Sequence, residues 1–379
     1  LIITPASILA KMTRDKKRGY RMRWYGWAAI AVVAVGGAAY IGVTRYLDAP
    51  LLATDPQSLA DMRAEIEAQN ENAFATPERR ALEPQAPNPL KNVYFGDLHV
   101  HTSLSFDSYL FGNRHDPDTA YRFAKGEAVE NRVGELMELT RPLDFAALAD
   151  HAEGFGLHEG CAWEGLTAAG RNVCDQYEMP SLSIFLALRK QGTNRPMVRD
   201  LEIYGGDAAI QEKFAQSTWA KVKAAASKHN EPGTFTAFAA YEYSPVLVDT
   251  GKHHRNVIFR GDETPALAVS AFDAPSEIDL WKMLEAGCVA PCQFLTIPHN
   301  PNKTWGLAFA DHTIDGIPYK QEDWDLRKRA EPIVEMFQIK GNSECSSAFG
   351  ATDEECNFEQ FFPPCEDGQE TLCIHPTSM

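Results

Sequence analysis

The chain predicts an α/β fold built on a parallel sheet or barrel, and three observations carry that prediction. From Val93 onward, short apolar runs alternate with amphipathic segments. Residues with metal-ligand chemistry recur where those runs end, and in parallel α/β folds active sites lie at the C-terminal ends of strands. At 379 residues and 44% hydrophobic content, the chain can bury a sizeable core.

The first 23 residues carry seven Lys or Arg against one acid, Asp15, a net +6 that leaves −22 for the remainder of a chain whose total is −16. Residues 24–46 follow with an uncharged run from Trp24 to Val43, the length of a membrane-spanning helix, flanked by Trp24, Tyr25, Trp27, Tyr40 and Tyr46. We read 24–46 as an uncleaved transmembrane anchor with its basic end, 1–23, in the cytoplasm. A cleavable signal ending near Gly37-Ala38-Ala39 is the competing reading. Leu1 is not a start methionine, so the beginning reads as incomplete, or Met12 or Met22 as the true start.

Residues 47–92 read as a linker, punctuated by Pro50, Pro56, Pro77, Pro84, Pro87 and Pro89, which would hold residues 93–379 off a bacterial inner membrane, in the periplasm or secreted. Eight cysteines fall in close pairs: Cys161 and Cys174, Cys288 and Cys292, Cys345 and Cys356, Cys365 and Cys373. An even count at short spacing fits local disulfides in an oxidising compartment, although the pairing is not fixed by sequence, and a zinc site lacks its Cys-x-x-Cys spacing. The acidic balance argues against a nucleic-acid partner, which requires a basic face.

Strands are expected near 93–98, 144–149, 234–241, 254–260, 293–298 and 332–339, and helices near 117–125, 131–140, 179–190, 206–228 and 276–286. Asp116 before Pro117 supplies an N-cap and a proline at the first helical position. The insertion from Glu153 to Glu231 is expected to roof the site.

The first strand ends in Asp97-Leu98-His99-Val100-His101, and histidines two apart on a strand share a face. A solvated edge is the bland alternative, which only further partners can displace. Asp107 follows in a loop short enough to fold back. The strand at 145–149 ends in Asp150-His151. Glu242 lies within the apolar, aromatic run Phe235–Tyr243, where a buried carboxylate needs either a cation or an ion-pair partner. His254 opens the strand at 255–259, with His253 expected on the surface. His299 ends the run Phe294–Pro298. His115, His158, His229, His312 and His375 are expected on the surface.

His99, His101, Asp107, His151, Glu242, His254 and His299 thus form a candidate ligand set. Mixed imidazole and carboxylate suits zinc, manganese or iron, and seven ligands exceed what one tetrahedral ion needs, so two or three divalent ions are expected. Asp97 and Asp150 are assigned as carboxylates that fix imidazole tautomers, with direct metal ligation the alternative for either. Arg255 and Lys303 are candidates for an anionic substrate group.

The ligand order His-x-His, Asp, Asp-His, Glu, His, His resembles the polymerase and histidinol phosphatase (PHP) superfamily. The stretches Tyr94–Ser103, Ala120–Glu127, His254–Phe259, Ile297–Asn300 and Gln338–Glu344 are similar to a large exported bacterial branch of unknown function. The resemblance implies a distorted (β/α)7 barrel with up to three divalent metals at its C-terminal mouth and, most often, phosphoester hydrolysis. It also implies a closing Asp-x-His, which this chain lacks after His299, so the barrel is expected to be incomplete. The expected chemistry is hydrolysis of a small anionic substrate by metal-activated water. Hydrolysis of ester, amide or sulfate bonds and a non-catalytic metal-binding envelope protein are the alternatives.

Overall fold

The computed structural model describes residues 39–50, 88–89 and 91–378, together with 57, 60–62, 64 and 65. Most of the expected linker and residues 24–38 of the expected anchor lie outside the described residues. Residues 39–47 are helical. Among the described residues no helix is long and apolar enough to cross a membrane, so the transmembrane anchor is not supported.

From Pro50 onward the described chain is a mixed α/β unit. Strand β1 (Gly96–Val100) leads through α1 (Phe106–Leu110) and α2 (Pro117–Ala124) to β2 (Phe145–Leu148). The insertion carries α3 (Leu157–Cys161), α4 (Ala168–Glu178), α5 (Leu182–Gly192) and α6 (Ala208–His229). Then follow β3 (Thr236–Phe238), β4 (Ala240–Tyr243), β5 (Arg255–Phe259), α7 (Glu277–Gly287), β6 (Phe294–Pro298) and α8 (Gln321–Ala330). A short hairpin pairs β7 (Phe337–Gln338) with β8 (Gly341–Asn342).

The strands do not close into a barrel, which corrects the expected (β/α)7 architecture. They form two three-stranded sheets, β1-β2-β3 parallel and β4-β5-β6 antiparallel. The cause is local. The predicted strand at 234–241 breaks at Ala239, so β3 pairs with β2 whereas β4 pairs with β5. Between Tyr243 and Arg255 there is no helix, and a connection without a crossover returns the chain antiparallel.

The two sheets meet at a parallel bridge between His151 and Glu242. The Asn256 side chain also crosses from β5, donating to the Leu98 carbonyl at 3.1 Å. Between the sheets Ala147, Ala240, Ile258 and Ile297 pack with Leu98, Phe238 and Leu295, forming an apolar floor. The opposite faces bury Leu148, Tyr241, Tyr243, Val257 and Phe259 against the helices through Trp219 and Trp281.

Helix α2 begins as expected, with the Asp116 carboxylate accepting from Thr119 N at 2.9 Å. The helix expected at 131–140 is instead a turn joining two-residue strands, Val129–Glu130 and Leu136–Met137. Asn131 Oδ1 accepts from both Val133 N and Glu135 N, and Gly134 takes a φ of 87°, so local side-chain bonding displaces the helix. The insertion has its own small core of Leu157, Leu166, Ile203 and Tyr204 beside the Cys161–Cys174 disulfide.

The cysteines pair as neighbours in sequence: Cys161–Cys174, Cys288–Cys292, Cys345–Cys356 and Cys365–Cys373, with none free among the described residues. Four disulfides place the chain in an oxidising, exported environment.

Candidate metal centre

Glu242 is the hub of the site. It lies 1% exposed on β4, and its carboxylate is approached by five imidazoles. His254 Nδ1 and His299 Nε2 contact Oε1, the latter at 3.1 Å, while His151 Nδ1 lies 3.6 Å from the same oxygen. His101 Nε2 and His99 Nε2 lie 3.0 and 3.4 Å from Oε2. The five rings close a circle round it: successive centroids from His99 through His101, His151, His254 and His299 back to His99 are 5.3, 4.8, 5.4, 5.9 and 4.0 Å apart.

Period-two alternation explains most of this convergence. Glu242 shares its face of β4 with Ala240 of the floor, and His299 shares its face with Ile297. His151 stands four residues beyond Ala147, again on the floor side. On β1 a register shift between Asp97 and Val100 breaks the alternation, so that Leu98 packs on the floor while Val100 joins the opposite core. Such a bulge re-aims side chains, here carrying His99 and His101 into the site and leaving Asp97 exposed.

Two carboxylates flank the ring. Asp107 Oδ1 lies 3.2 Å from His101 Nδ1 and Oδ2 lies 3.1 Å from His151 Nε2. Glu335, which sequence reasoning did not single out, reaches His99 Nδ1 at 3.1 Å, its backbone N–H held by the Pro298 carbonyl. A signal existed, since Glu335 interrupts the apolar run Ile333–Phe337 much as Glu242 interrupts its own. Ser105 and Ser244 were also missed. Their hydroxyls meet His101 Nδ1 at 2.9 Å and His151 Nδ1 at 2.5 Å. Serine in loop sequence gave no signal.

His99, His101, Asp107, His151, Glu242, His254 and His299 are therefore brought together, whereas Asp97, Asp150, Arg255 and Lys303 are not. Asp97 Oδ1 accepts the backbone N–H of His99 at 2.8 Å, and no imidazole. Asp150, fully buried, accepts from Thr102 N and Thr102 Oγ1 and so fixes the loop between His101 and Asp107.

Arg255, next to His254 in sequence, points to the opposite face of β5. There it pairs with Glu331 at 2.7 Å and lies over Trp281. Lys303 is buried with its ammonium 4.4 Å from the centre of the Phe361 ring. His253, expected on the surface, is 1% exposed and faces Glu277 at 3.5 Å, and His229 is buried with Asp118 at 2.8 Å. Cys365, Cys373 and His375 also lie close together, but the two sulfurs are consumed by their disulfide.

Burial holds the His254 imidazole well below its usual range and takes His299 down to about 3, so both are neutral lone-pair donors at physiological pH. At His101 burial also opposes the charge, but the adjoining carboxylates of Asp107 and Glu242 outweigh it and push the group up to about 10. His99 is raised in the same way, through Glu242 and Glu335. Burial works against the Glu242 carboxylate, yet the surrounding imidazoles hold it well below the usual range.

The polar atoms that hydrogen bonds leave over show whether divalent ions fit. Glu242 Oε2, His254 Nε2 and His299 Nδ1 are buried without a hydrogen-bond partner among the described residues. Oε2 is within 3.0 Å of His101 Nε2 but off the line a hydrogen bond requires. Ligand atoms gather in overlapping groups, His99–His101–Glu242, His99–His299–Glu335, His101–Asp107–His151 and His151–Glu242–His254, each with its atoms within 4.8 Å of one another. Nitrogen and carboxylate donors converging in this way fit zinc, manganese or iron.

A mixed α/β chain with a polyhistidine and carboxylate cluster between two sheets is the class that fold and site define. The chain belongs to the family described as Protein of unknown function (DUF3604), whose profile matches residues 88–378. No curated protein matches the chain, and no solved structure does.

Proposed function

We propose that this chain is an exported metal-dependent hydrolase whose substrates are small anionic phosphate esters. The observation that carries the reading is the circle of five imidazoles around one buried carboxylate. Five histidines facing a single acid are far more than charge balance requires, whereas they are what a cluster of divalent ions needs. The ligand order, which resembles that of PHP hydrolases, supports the same reading.

When bound, divalent ions would lower the pKa of coordinated water and polarise the scissile group. The chain's own residues do the rest. Ser105 and Glu335 engage the Nδ1 atoms of His101 and His99, which leaves Nε2 of each ring facing Glu242, and Ser244 engages Nδ1 of His151. Asp107 also accepts from Ser105 Oγ and Ser108 N, which holds it in place as an ionised carboxylate. Asp107 and Glu335 are 34% and 21% exposed, while His151, Glu242, His254 and His299 are at most 3–4%, so substrate and water reach the cluster from the Asp107–Glu335 side.

The test is elemental analysis of protein purified without chelator, followed by turnover of phosphate esters, carboxyl esters, amides and sulfate esters with Mn²⁺ or Zn²⁺ supplied. Bound metal with preference for phosphate esters is expected. Absence of metal uptake, or metal-dependent turnover confined to another bond class, would overturn the reading.

A further inference from the structure

Beside the cluster lies a group of polar side chains that the metal site does not use. Asn300 directly follows His299, is 1% exposed, and has no hydrogen-bond partner for either Oδ1 or Nδ2 among the described residues. The chain then makes a tight turn, Pro301–Lys303. From that turn Asn302 Nδ2 donates to the carbonyls of Lys340 at 2.9 Å and Asn342 at 3.3 Å, docking the β7–β8 turn against it. In the docked turn Ile339 is 97% exposed, while Gln338 and Lys340 on either side are half-buried. Lys340 Nζ donates to Gln338 Oε1 at 3.1 Å, and Gln338 Nε2 remains buried without a partner among the described residues.

A buried amide left with both ends unsatisfied is costly unless a ligand completes it. The unfilled groups here are the N–H donors of Asn300 and Gln338 and the Asn300 oxygen, with the Lys340 ammonium on Gln338; the donors and the ammonium are the chemistry that holds an oxyanion, and the Asn300 oxygen can accept from a protonated phosphoryl oxygen. Asn300 sits next to a ligand histidine, and the Lys340 charge is felt at His299, which adds to the forces keeping that imidazole neutral. We propose that Asn300, Gln338 and Lys340 form an oxyanion pocket adjoining the metal cluster, which holds the non-bridging oxygens of a phosphoryl group and of the phosphate released from it. The inference rests on the hydrolase reading for its substrate class and on the unpartnered amides for its residues. It places substrate positioning on the docked turn and not on Arg255, which pairs with Glu331 on the opposite face of β5.

The experiment is calorimetric titration of inorganic phosphate into Mn²⁺-loaded protein, wild type against N300A and K340Q, with metal content and melting temperature measured on each. Phosphate affinity is expected to fall about tenfold or more in both variants, the scale of one charge-assisted hydrogen bond, with metal content unchanged. Metal retained in all three proteins with phosphate affinity within twofold of wild type would overturn the pocket while leaving the hydrolase reading intact. If wild type takes up no metal, the hydrolase reading fails, and the same titration on metal-free protein decides the pocket by the same criterion. K340Q, in a half-buried turn, keeps the test decisive should N300A not fold.

Discussion

Replacing Glu242 with glutamine changes one atom and removes the charge on which five imidazoles converge. Oε1 is contacted by His254 and His299 and Oε2 is approached by His101 and His99, so the substitution weakens at least two contacts between an ionised carboxylate and a ring nitrogen. Hydrogen bonds to charged groups contribute about 1.5–3 kcal/mol each. Two of them amount to about 3–6 kcal/mol of stability in the metal-free chain. Glu242 belongs to two of the candidate ligand groups, whereas Asp107 and Glu335 each supply a different one. E242Q should therefore lose at least one ion outright and hold the rest more weakly. Elemental analysis after dialysis against buffered Mn²⁺ gives stoichiometry, and competition with a fluorescent chelator gives affinity. A variant that folds normally and binds as many ions as wild type, with affinity within about threefold, would refute the claim that Glu242 is the shared centre.

Further predictions concern the flanking groups and pH. E335Q should weaken metal binding by about 10- to 100-fold, the usual effect of losing a carboxylate beside a ligand imidazole. D97N should leave it within about twofold, because Asp97 bonds only backbone at His99; equal effects in a chelator competition would contradict the assignment. R255M should cost about 3 kcal/mol in urea unfolding by leaving Glu331 with Arg327 alone, and should leave phosphate binding unchanged.

Chelated protein should be most stable near pH 6.5. Between pH 6.5 and about 3 the unfolded chain binds protons that folded His254 and His299 refuse, so stability falls with pH; above pH 6.5 folded His99 and His101 hold protons the unfolded chain releases, so stability falls again toward about pH 10. A melting temperature that climbs steadily from pH 5 to 9 would count against these environments. Metal should flatten the alkaline limb, because ligation keeps the imidazoles deprotonated.

Much of the site was legible because it obeys short-range rules. His99 and His101 were found as alternating residues, and Glu242 as a charge that an apolar strand would not bury alone. The same alternation could have excluded Arg255. Once His254 faces the site, its neighbour on the strand must face the helices, where Glu331 and Trp281 receive it. Asp97 was misplaced for a different reason, since its carboxylate is taken up by the backbone N–H of His99 next to the bulge of β1.

By itself, then, the sequence determined the ligand chemistry, the cysteine pairs suited to an oxidising compartment and the ends of most strands, because each depends on residue type and spacing over a few positions. The tertiary structure alone decided the antiparallel turn of the second sheet, the entry of Glu335 and the unpartnered amides beside Lys340. These depend on which segments dock, over separations from 38 residues for Asn302 and Lys340 to 236 for His99 and Glu335, or on how a short connection turns, and no local pattern encodes where a carbonyl such as that of Pro298 will find its donor.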